Sequence, residues 1–504
     1  MGNPAEGATH DVPTTESDSV TNEKVVDKGA HVNDINVESA GWDESSTRKL
    51  IRKVDFTLIP FLALLYLLSF LDRTNIGNAR LDSLVKDLDL HGLRYNDALA
   101  IFFPFYVAAE IPSNMAMKRF RPSIWIPSIM VAWAICTTLM GVVQNYPGLM
   151  ACRSALGIAE GGLFPGITYY ITMWYQRHEC GFRMAIFFSA ATAAGAFGGL
   201  LARGIMEMRK VSGLSGWQWI FIIEGMLTFV IAVIAYFVMQ DYPATAKFLT
   251  QEERDEIQAR LKRDRSSLAD EFDMKYFWDG IKDWKIWVHM FITIGVYTGL
   301  YSYSLFLPTI ISDLGTVSTP EMAQLMTVPP YVVACVFCVA AGYYADKLGQ
   351  RGIFMIGFMV IAIIGLIMLM VSTSGAVRYV GCFFLATGIY PNVPLGVAWN
   401  GNCVGGSLKR GVGIAMHVGF GNLGGTISAY LFLVKDKPRY MPGFSTLLGC
   451  QIMALVLSVG MTIYLRRENA RRDREYKPPS EYTEEERLAE REKGDLATFF
   501  RYTI

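Results

Sequence analysis

Residues 59–73 read IPFLALLYLLSFLDR, a mostly apolar run that ends in an aspartate and an arginine. A helix needs about 20 mostly apolar residues to cross a bilayer, and the apolar character of this run extends on both sides, so we predict a span over 56–78. An ionisable side chain inside a bilayer costs about 2.5–3.5 kcal/mol on insertion scales. Asp72 and Arg73 are therefore functional candidates by default.

The composition of the whole chain supports a membrane protein. Of its 504 residues, 52% are hydrophobic and 18% are charged, whereas soluble domains carry about 25% charged residues. The formal net charge is zero, which gives no attraction to nucleic acid. Cys335 and Cys338 have a C-x-x-C spacing, but they lie in the apolar run YVVACVFCVA. We therefore expect no metal site, no cofactor and no nucleic-acid partner.

Similar apolar runs recur along the chain in two groups of six. The predicted spans are 56–78, 95–117, 122–142, 148–174, 182–205, 217–240, 284–312, 322–345, 352–372, 377–402, 409–434 and 443–465. The predicted domains are a disordered tail (1–50), a first six-helix bundle (51–240), a linker (241–283), a second bundle (284–466) and a tail (467–504) that also looks disordered. The linker contains LTQEERDEIQARLKRDR, which predicts a charged helix. Two groups of six indicate a carrier built from internal repeats.

Basic residues and small residues add orientation and packing. Lys and Arg concentrate in the loops on one side, including Lys347 and Arg351 between spans eight and nine, so both tails are expected to be cytoplasmic. Small residues spaced four apart let helix backbones approach closely. Such residues are Gly157 and Gly161 in span four, Ala191, Gly195 and Gly199 in span five, and Gly421 and Gly425 in span eleven.

A second pair of buried charges lies in span four. Arg153 and Glu160 are seven residues apart, which is about two helical turns, or ~10 Å, and nearly the same face. The planar guanidinium of arginine fits a carboxylate, and a carboxyl group in an apolar wall can carry a proton near neutral pH. These are the parts of an anion–proton symporter. The alternative is that these charges form ion pairs that only neutralise each other.

Other polar side chains within the spans are weaker candidates. Tyr297, Asn400 and Asn422 are candidate substrate ligands, and His417 is a candidate for proton coupling. Interhelical hydrogen bonding is the alternative role for the two asparagines and the histidine. Two further acidic residues, Glu110 and Glu224, are expected to make local structural pairs.

One loop resembles a known signature. The segment GYYADKLGQRG, residues 342–352, resembles the G-x-x-x-D-[RK]-x-G-x-[RK] motif of the major facilitator superfamily, between spans eight and nine. The matching residues are Gly342, Asp346, Lys347, Gly349 and Arg351. The resemblance implies a charged contact at this loop that controls helix movement. The equivalent first-half loop, IPSNMAMKRFRPS, lacks the aspartate.

Three further segments resemble the anion:cation symporter family, and within it the fungal allantoate, nicotinate and vitamin permeases. They are YLLSFLDRTNIGNA (66–79), EIPSNMAMKRFRPSIW (110–125) and RSALGIAEGGLFPGITYYITMWY (153–175). The resemblance covers roughly residues 50–470. It implies that Arg73 and Arg153 contact the anionic substrate. It also implies that Asp72 and Glu160 take part in proton coupling.

Together these observations predict an all-α carrier with twelve transmembrane helices in two bundles that works by alternating access. The expected activity is proton-coupled uptake of a small organic anion, such as nicotinate, pantothenate or a ureide acid, by a monomer in the plasma membrane. No nucleotide loop or nucleophile motif points to an enzyme. Two alternatives remain open: an exporter of an acidic metabolite, and a carrier-like nutrient receptor, which long folded tails would favour.

Overall fold

The computed structural model describes residues 42–176, 179–208, 211–265, 274–314 and 319–504. Within those ranges the regular elements are α-helices and short 3-10 turns. The first nine α-helices are α1 (Glu44–Ala79), α2 (Leu84–Asp87), α3 (Arg94–Ala100), α4 (Phe102–Arg119), α5 (Pro122–Met140), α6 (Tyr146–Glu160), α7 (Leu163–Trp174), α8 (Cys180–Met206) and α9 (Gly216–Val238). The remaining eleven are α10 (Gln251–Arg265), α11 (Met274–Lys282), α12 (Trp284–Ser312), α13 (Pro320–Leu325), α14 (Val328–Leu348), α15 (Gly352–Val371), α16 (Gly375–Ile389), α17 (Asn392–Cys403), α18 (Ser407–Ala429), α19 (Met441–Glu475) and α20 (Glu484–Ala489).

Ten helical stretches in the described part of the chain are long and apolar enough to cross a membrane. The two other predicted spans are also helical. Span four is split into α6 and α7, and span eleven is α18, whose first turn carries Lys409 and Arg410. The predicted all-α membrane fold is confirmed. We call residues 43–240 the N-terminal half and residues 284–504 the C-terminal half, and we call the end where α1 begins and α19 ends the tail side.

The break in span four follows directly from its glycines. Helix α6 ends at Glu160, and Gly161 and Gly162 separate it from α7. A Cβ atom on Gly157 would lie only 2.5 Å from the carbonyl oxygen of Phe102, and one on Gly161 would collide with the carbonyl of Tyr106. The glycines therefore let span four lie directly against the backbone of α4, as the spacing predicts.

Close backbone packing at glycines also joins the two halves. Helix α8 packs along α14, where Gly195 meets the ring of Tyr331 and Gly199 meets Thr327. On α1, a Cβ at Gly77 would lie 2.5 Å from the carbonyl oxygen of Leu305 on α12. The predicted close packing at Gly195 and Gly199 is thus confirmed, and it lies between the halves.

Both predicted tail boundaries need correction. Helix α1 begins at Glu44, with Asp43 as its N-cap, rather than after residue 50. The predicted disorder of the N-terminal tail falls mostly on residues 1–41, which lie outside the described ranges. At the other end, α19 continues to Glu475. Residues 476–504, here called the C-terminal segment, then form α20 and two 3-10 turns, where the sequence suggests disorder.

The C-terminal segment folds back onto the tail side of the C-terminal half. Arg472 of α19 donates to the backbone carbonyls of Asp495 and Phe500, both at 3.0 Å. The indole of Trp399 donates to the carbonyl of Thr503 at 3.0 Å. The sequence of this segment is strongly charged and did not predict a fold, because partners such as Trp399 lie on helices that are distant in the chain.

Candidate functional site

The centre of the molecule is organised around Arg73 on α1. Its guanidinium donates twice to one oxygen of Glu160, at 3.1 Å from Nε and 2.6 Å from Nη2. The hydroxyl of Ser69, one turn earlier on α1, donates to the same oxygen. Arg73 and Glu160 are at most 3% exposed. The buried ion pair therefore joins span one to the end of α6.

Arg73 also connects the two halves of the molecule. Its Nη1 donates to the hydroxyl of Tyr301 on α12 at 2.8 Å, and that hydroxyl donates to the Oδ1 of Asn422 on α18 at 2.5 Å. The rings of Phe102 and Tyr106 lie 5.1 and 4.8 Å from the guanidinium carbon, within the range of cation–π attraction. The site thus combines one cation, one carboxylate and polar groups from both halves.

Arg153 does not pair with Glu160, although their spacing places both on nearly one helix face. Its Nε donates to the carbonyl of Ala98 on α3 at 3.1 Å, and its guanidinium carbon lies 5.1 Å from the ring of Phe102. Its Nη1 has no hydrogen-bond partner among the described residues. The Phe102 ring is therefore within cation–π range of two arginines, and Arg153 keeps Nη1 for a ligand.

Asp72 points away from Arg73, into the N-terminal half. Its Oδ2 accepts from the indole of Trp133 on α5 at 3.1 Å and from the hydroxyl of Thr228 on α9 at 2.9 Å. Its Oδ1 has no partner in the described part of the chain. The neighbouring residues Asp72 and Arg73 therefore do not neutralise each other, which was the alternative that the sequence left open.

Two other buried glutamates lack the structural partners expected for them. Glu110 is 1% exposed and Glu224 is 0% exposed, and all four of their carboxyl oxygens are without a hydrogen-bond partner among the described residues. Glu110 lies on α4 across from Gly419 of α18. The expectation of local pairing for Glu110 and Glu224 is wrong.

The remaining predicted residues divide by location. The Tyr297 ring lies 6.2 Å from that of Tyr301, whose hydroxyl accepts from Arg73. His417 instead lies 2.8 Å from the hydroxyl of Thr293, two turns of α12 toward the tail side. Asn400 donates to the carbonyl of Gly413 at 2.8 Å, an interhelical bond. Of these three residues, the structure brings only Tyr297 next to a side chain that contacts Arg73.

The halves meet at both ends around this centre. On the side opposite the tails, Asn96 donates to the carbonyl of Ala429 at 2.6 Å, and Tyr430 donates to Asp97 at 2.7 Å. On the tail side, Arg351 donates to Asp346 at 2.6 Å, and this pair of the C-terminal half lies against Gly181 of the N-terminal half.

The charged pair of the loop motif lies at the start of α8. A Cβ on Gly181 would be 2.5 Å from the Oδ1 of Asp346 and 2.6 Å from the Nη2 of Arg351. The partial positive charge of a helix N-terminus favours a carboxylate there. Within the motif, Gly349 ends α14 with a φ of 62°, which favours glycine. Gly342 packs on Ala185 of α8, and the Nζ of Lys347 lies 6.0 Å from the ring of Tyr343.

A family model described as Major Facilitator Superfamily matches residues 62–429. The chain belongs to the Major Facilitator Superfamily. An uncharacterized transporter of Schizosaccharomyces pombe is 31% identical over 96% of this chain and 95% of its own length. The MFS-type transporter efuF of Hormonema carpetanum is 35% identical over 86% of this chain and 88% of its own. This facilitator is therefore a membrane transporter.

The solved structures agree with the facilitator fold. The xylose transporter XylE from E. coli, in a partially occluded inward-open conformation, superposes with a TM-score of 0.62 over 81% of this chain and 97% of XylE. The two sequences are 16% identical, so the likeness concerns the fold alone.

Several residues of the site escape sequence reasoning. Ser69, Phe102, Tyr106, Trp133 and Thr228 all contact the charged groups, but hydroxyl and aromatic side chains are common in spans. The one usable signal is the spacing of Phe102 and Tyr106, four residues apart on the helix that faces Gly157 and Gly161. Within the described ranges no group of three His, Cys, Asp or Glu residues could hold a metal ion.

Proposed function

We propose that this facilitator is a member of the anion:cation symporter family that takes up a small organic anion together with a proton. The observation that carries the proposal is the position of Arg73, which donates to Glu160 on one side and to Tyr301 on the other. A substrate carboxylate needs the same guanidinium. Substrate and Glu160 therefore compete for one cation.

Protonation of Glu160 decides this competition. A carboxylate buried without its cation costs several kcal/mol, so Glu160 cannot release Arg73 to a substrate while it remains charged. A protonated Glu160 has no such constraint, and it still accepts from Ser69. Binding of the anion is thereby coupled to uptake of a proton.

The charges of the site balance in the same way. Asp72 and Glu160 offset Arg73 and Arg153, so these four groups are neutral together when all are ionised. Adding one substrate anion leaves an excess negative charge at a depth where ions are costly. One proton restores neutrality, on Glu160 or on Asp72. Arg153, with its unpartnered Nη1, is the second ligand for the anion.

The link to the C-terminal half gives the site a route to alternating access. Tyr301 and Asn422 belong to that half and bond each other, and the bond from Arg73 to Tyr301 requires that the halves are closed. A substrate that replaces Glu160 on Arg73 changes this network directly. Tyr297, beside Tyr301, completes the wall around the ligand.

The chemistry of the site favours one substrate class. Two guanidinium groups, each 5.1 Å from the centre of the Phe102 ring, suit a small carboxylate with a flat or aromatic body, and nicotinate is the first candidate. Pantothenate and ureide acids such as allantoate are the next. We place the tail side in the cytoplasm of a plasma-membrane protein and expect a monomer to be active.

The direct test is uptake of labelled nicotinate, pantothenate and allantoate into cells that lack their own permeases for these acids. We expect uptake of at least one acid to fall as external pH is raised. Glu160→Gln should remove the pH dependence while exchange of labelled for unlabelled acid continues. Arg153→Gln should lose uptake at normal surface amount, and full uptake in that variant contradicts the proposal.

The alternatives give different results. An exporter would show proton-driven accumulation only in inverted vesicles. A receptor would bind an acid without moving it. The C-terminal segment is folded, so an unfolded tail no longer argues against the receptor, and this assay must separate the two.

A further inference from the structure

A second group of unsatisfied polar atoms lies behind the anion site, inside the N-terminal half. Glu224 on α9 is one turn from Thr228, whose hydroxyl donates to Asp72. Thr137 on α5 is one turn from Trp133, whose indole also donates to Asp72. Residues four apart share a helix face. Glu224 and Thr137 therefore lie on the two faces that enclose Asp72.

The packing of α5 on α9 fixes the level of these groups. Gly225 meets Thr138 and Gly141 meets Ile222, so the two helices run antiparallel in close contact. In that register Thr137 lies between the levels of Glu224 and Thr228. The polar side chains thus form one layer among the three helices α1, α5 and α9.

This layer is buried from solvent, and several of its polar atoms lack hydrogen bonds to described residues. Glu224 and Thr137 are both 0% exposed. Both oxygens of Glu224, the Oδ1 of Asp72 and the Oγ1 of Thr137 have no hydrogen-bond partner among the described residues. Buried polar atoms are normally bonded, so four unbonded ones in one place require a physical explanation.

The charged surroundings of Glu224 favour protonation of one carboxyl group as that explanation. From α1 it faces Asp72, which acts on it electrostatically. Helix α5 carries no Asp, Glu, Lys or Arg, and its Cys136 interacts with Cys152 of α6. Arg203 of α8 bonds to Glu207 near the end of that helix. Among the described residues, these elements bring no cation to the two carboxyl groups. A neighbouring carboxylate disfavours ionisation of the other group, so one of the two is expected to hold a proton.

We infer that Glu224 and Asp72 form an internal proton-binding pair, with the proton held on Glu224 in the present state. Asp72 accepts two hydrogen bonds on Oδ2, which stabilise its carboxylate relative to that of Glu224, which accepts none from the described residues. The pair adjoins the anion site, because Asp72 directly precedes Arg73 on α1, and Arg73 and Ser69 both bond Glu160. Glu224 is thus the proton donor for Asp72, and Asp72 in turn is the donor for Glu160.

The step is a simple transfer. The two carboxyl groups are not hydrogen-bonded to each other in the present state, so the transfer needs a water molecule or a side-chain rotation that connects them. The O–H bond of Glu224 then breaks as the Asp72 carboxylate takes the proton, and Glu224 stays a carboxylate until it is protonated again. The inference rests on the proposed proton coupling, but the protonation state of Glu224 can be measured without any substrate.

The experiment is infrared difference spectroscopy on the purified full-length protein, following the carboxylic-acid carbonyl stretch between neutral and alkaline pH. Glu224→Gln should remove one protonated-carboxyl band present at neutral pH, and Asp72→Asn should shift that band. Glu110→Gln is the matched control, because Glu110 is also buried and unpartnered. It should remove a different band, which Asp72→Asn leaves in place.

The outcomes separate the inference from the proposed function. An unchanged spectrum in Glu224→Gln, or a band that Asp72→Asn does not shift, overturns the proton-binding pair. Loss of the wild-type band on adding NaCl at constant pH would assign the layer to a sodium ion and also overturns it. In transport, Glu224→Gln should abolish proton-driven accumulation of nicotinate, or of whichever tested acid is transported, and keep exchange. Wild-type uptake without pH dependence contradicts the proposed function, whatever the spectrum shows.

Discussion

Two regions of this facilitator bury several charges, and they treat them in opposite ways. On the tail side of the C-terminal half, Lys409 bonds Asp283 and Asp495, both at 2.7 Å, and Lys285 also bonds Asp495. Two cations meet two carboxylates. At the centre of the N-terminal half, Arg73 and Glu160 form an ion pair, but Asp72, Arg153 and Glu224 keep atoms with no hydrogen-bond partner among the described residues.

The difference separates a charged cluster that stabilises the fold from one that we expect to act in transport. A buried network in which every charge has a partner gains nothing from a proton and holds the C-terminal segment in place. A buried network with free carboxyl oxygens changes its charge when a proton or an anion arrives. We therefore expect mutations in the first region to change stability and mutations in the second to change transport.

The largest effect is expected for Arg73→Ala. This change leaves Glu160 buried without its cation, and breaking a buried pair in this way costs about 3–5 kcal/mol. Protonation of Glu160 relieves part of that cost, so the protein should still reach the membrane but lose uptake. Uptake of labelled nicotinate, pantothenate and allantoate and surface labelling measure the two properties. Arg73→Lys, which keeps the charge but lacks the fork, should not restore transport.

Asp495→Ala should give the next largest change. Lys285 and Lys409 then share Asp283 alone, and we expect a loss of up to about 3 kcal/mol from the network, felt as release of the C-terminal segment. Limited proteolysis of residues 476–504 measures this release. Asp473→Ala breaks the exposed pair with Arg501 and is the control, with an effect of about 0–1 kcal/mol. Equal protection of the segment in both variants would contradict the structural role.

Apolar replacement of whole pairs sharpens the comparison further. Removing both partners of a buried pair is often neutral or stabilising, so Lys409→Met with Asp495→Leu should leave thermal stability within about 1 kcal/mol. Arg73→Met with Glu160→Leu should be equally stable. Only the second double variant should lose uptake. Loss of transport in the first would show that its charges act in the transport cycle.

The smallest effect is expected from pH on the C-terminal segment. Burial alone would raise the pKa of Asp495, but the charges of Lys285 and Lys409 outweigh it and hold that pKa below its ordinary value. A lowered pKa stabilises docking above the unfolded value of about 3.9 and loses that contribution only as pH falls through the folded value. Proteolytic protection should be constant between about pH 5 and 8, and loss of protection within that window would contradict the assigned charge state.

Much of the fold could be predicted from the sequence, because apolar length decides which helices cross a bilayer. Span seven, predicted over 284–312, is α12 with the same limits. The close approach at Gly157 and Gly161 was also predictable, because small residues four apart have one geometric consequence. The fold of residues 476–504 was not, because it depends on Lys285 and Lys409, which are distant in sequence.

The sequence predicted which charged residues form the site better than it predicted the partners that each of them bonds. Asp72, Arg73, Arg153 and Glu160 stand out because charges are costly in spans. Their partners depend on which way each side chain turns, and neighbouring residues turn apart: Arg73 reaches Glu160 and Tyr301, while Asp72 reaches Trp133 and Thr228. The spacing of Arg153 and Glu160 suggested one cavity but gave no sign that Arg73 would take the glutamate.

Co-transport of protons with the anion tests the central claim most directly. The purified protein would be reconstituted in liposomes containing a pH-sensitive dye, and nicotinate, pantothenate and allantoate would be added outside in turn. We predict that at least one acid enters and acidifies the lumen, and that Glu160→Gln exchanges the same acid without acidification. Entry of the acid with no change of internal pH in the wild type would contradict the account.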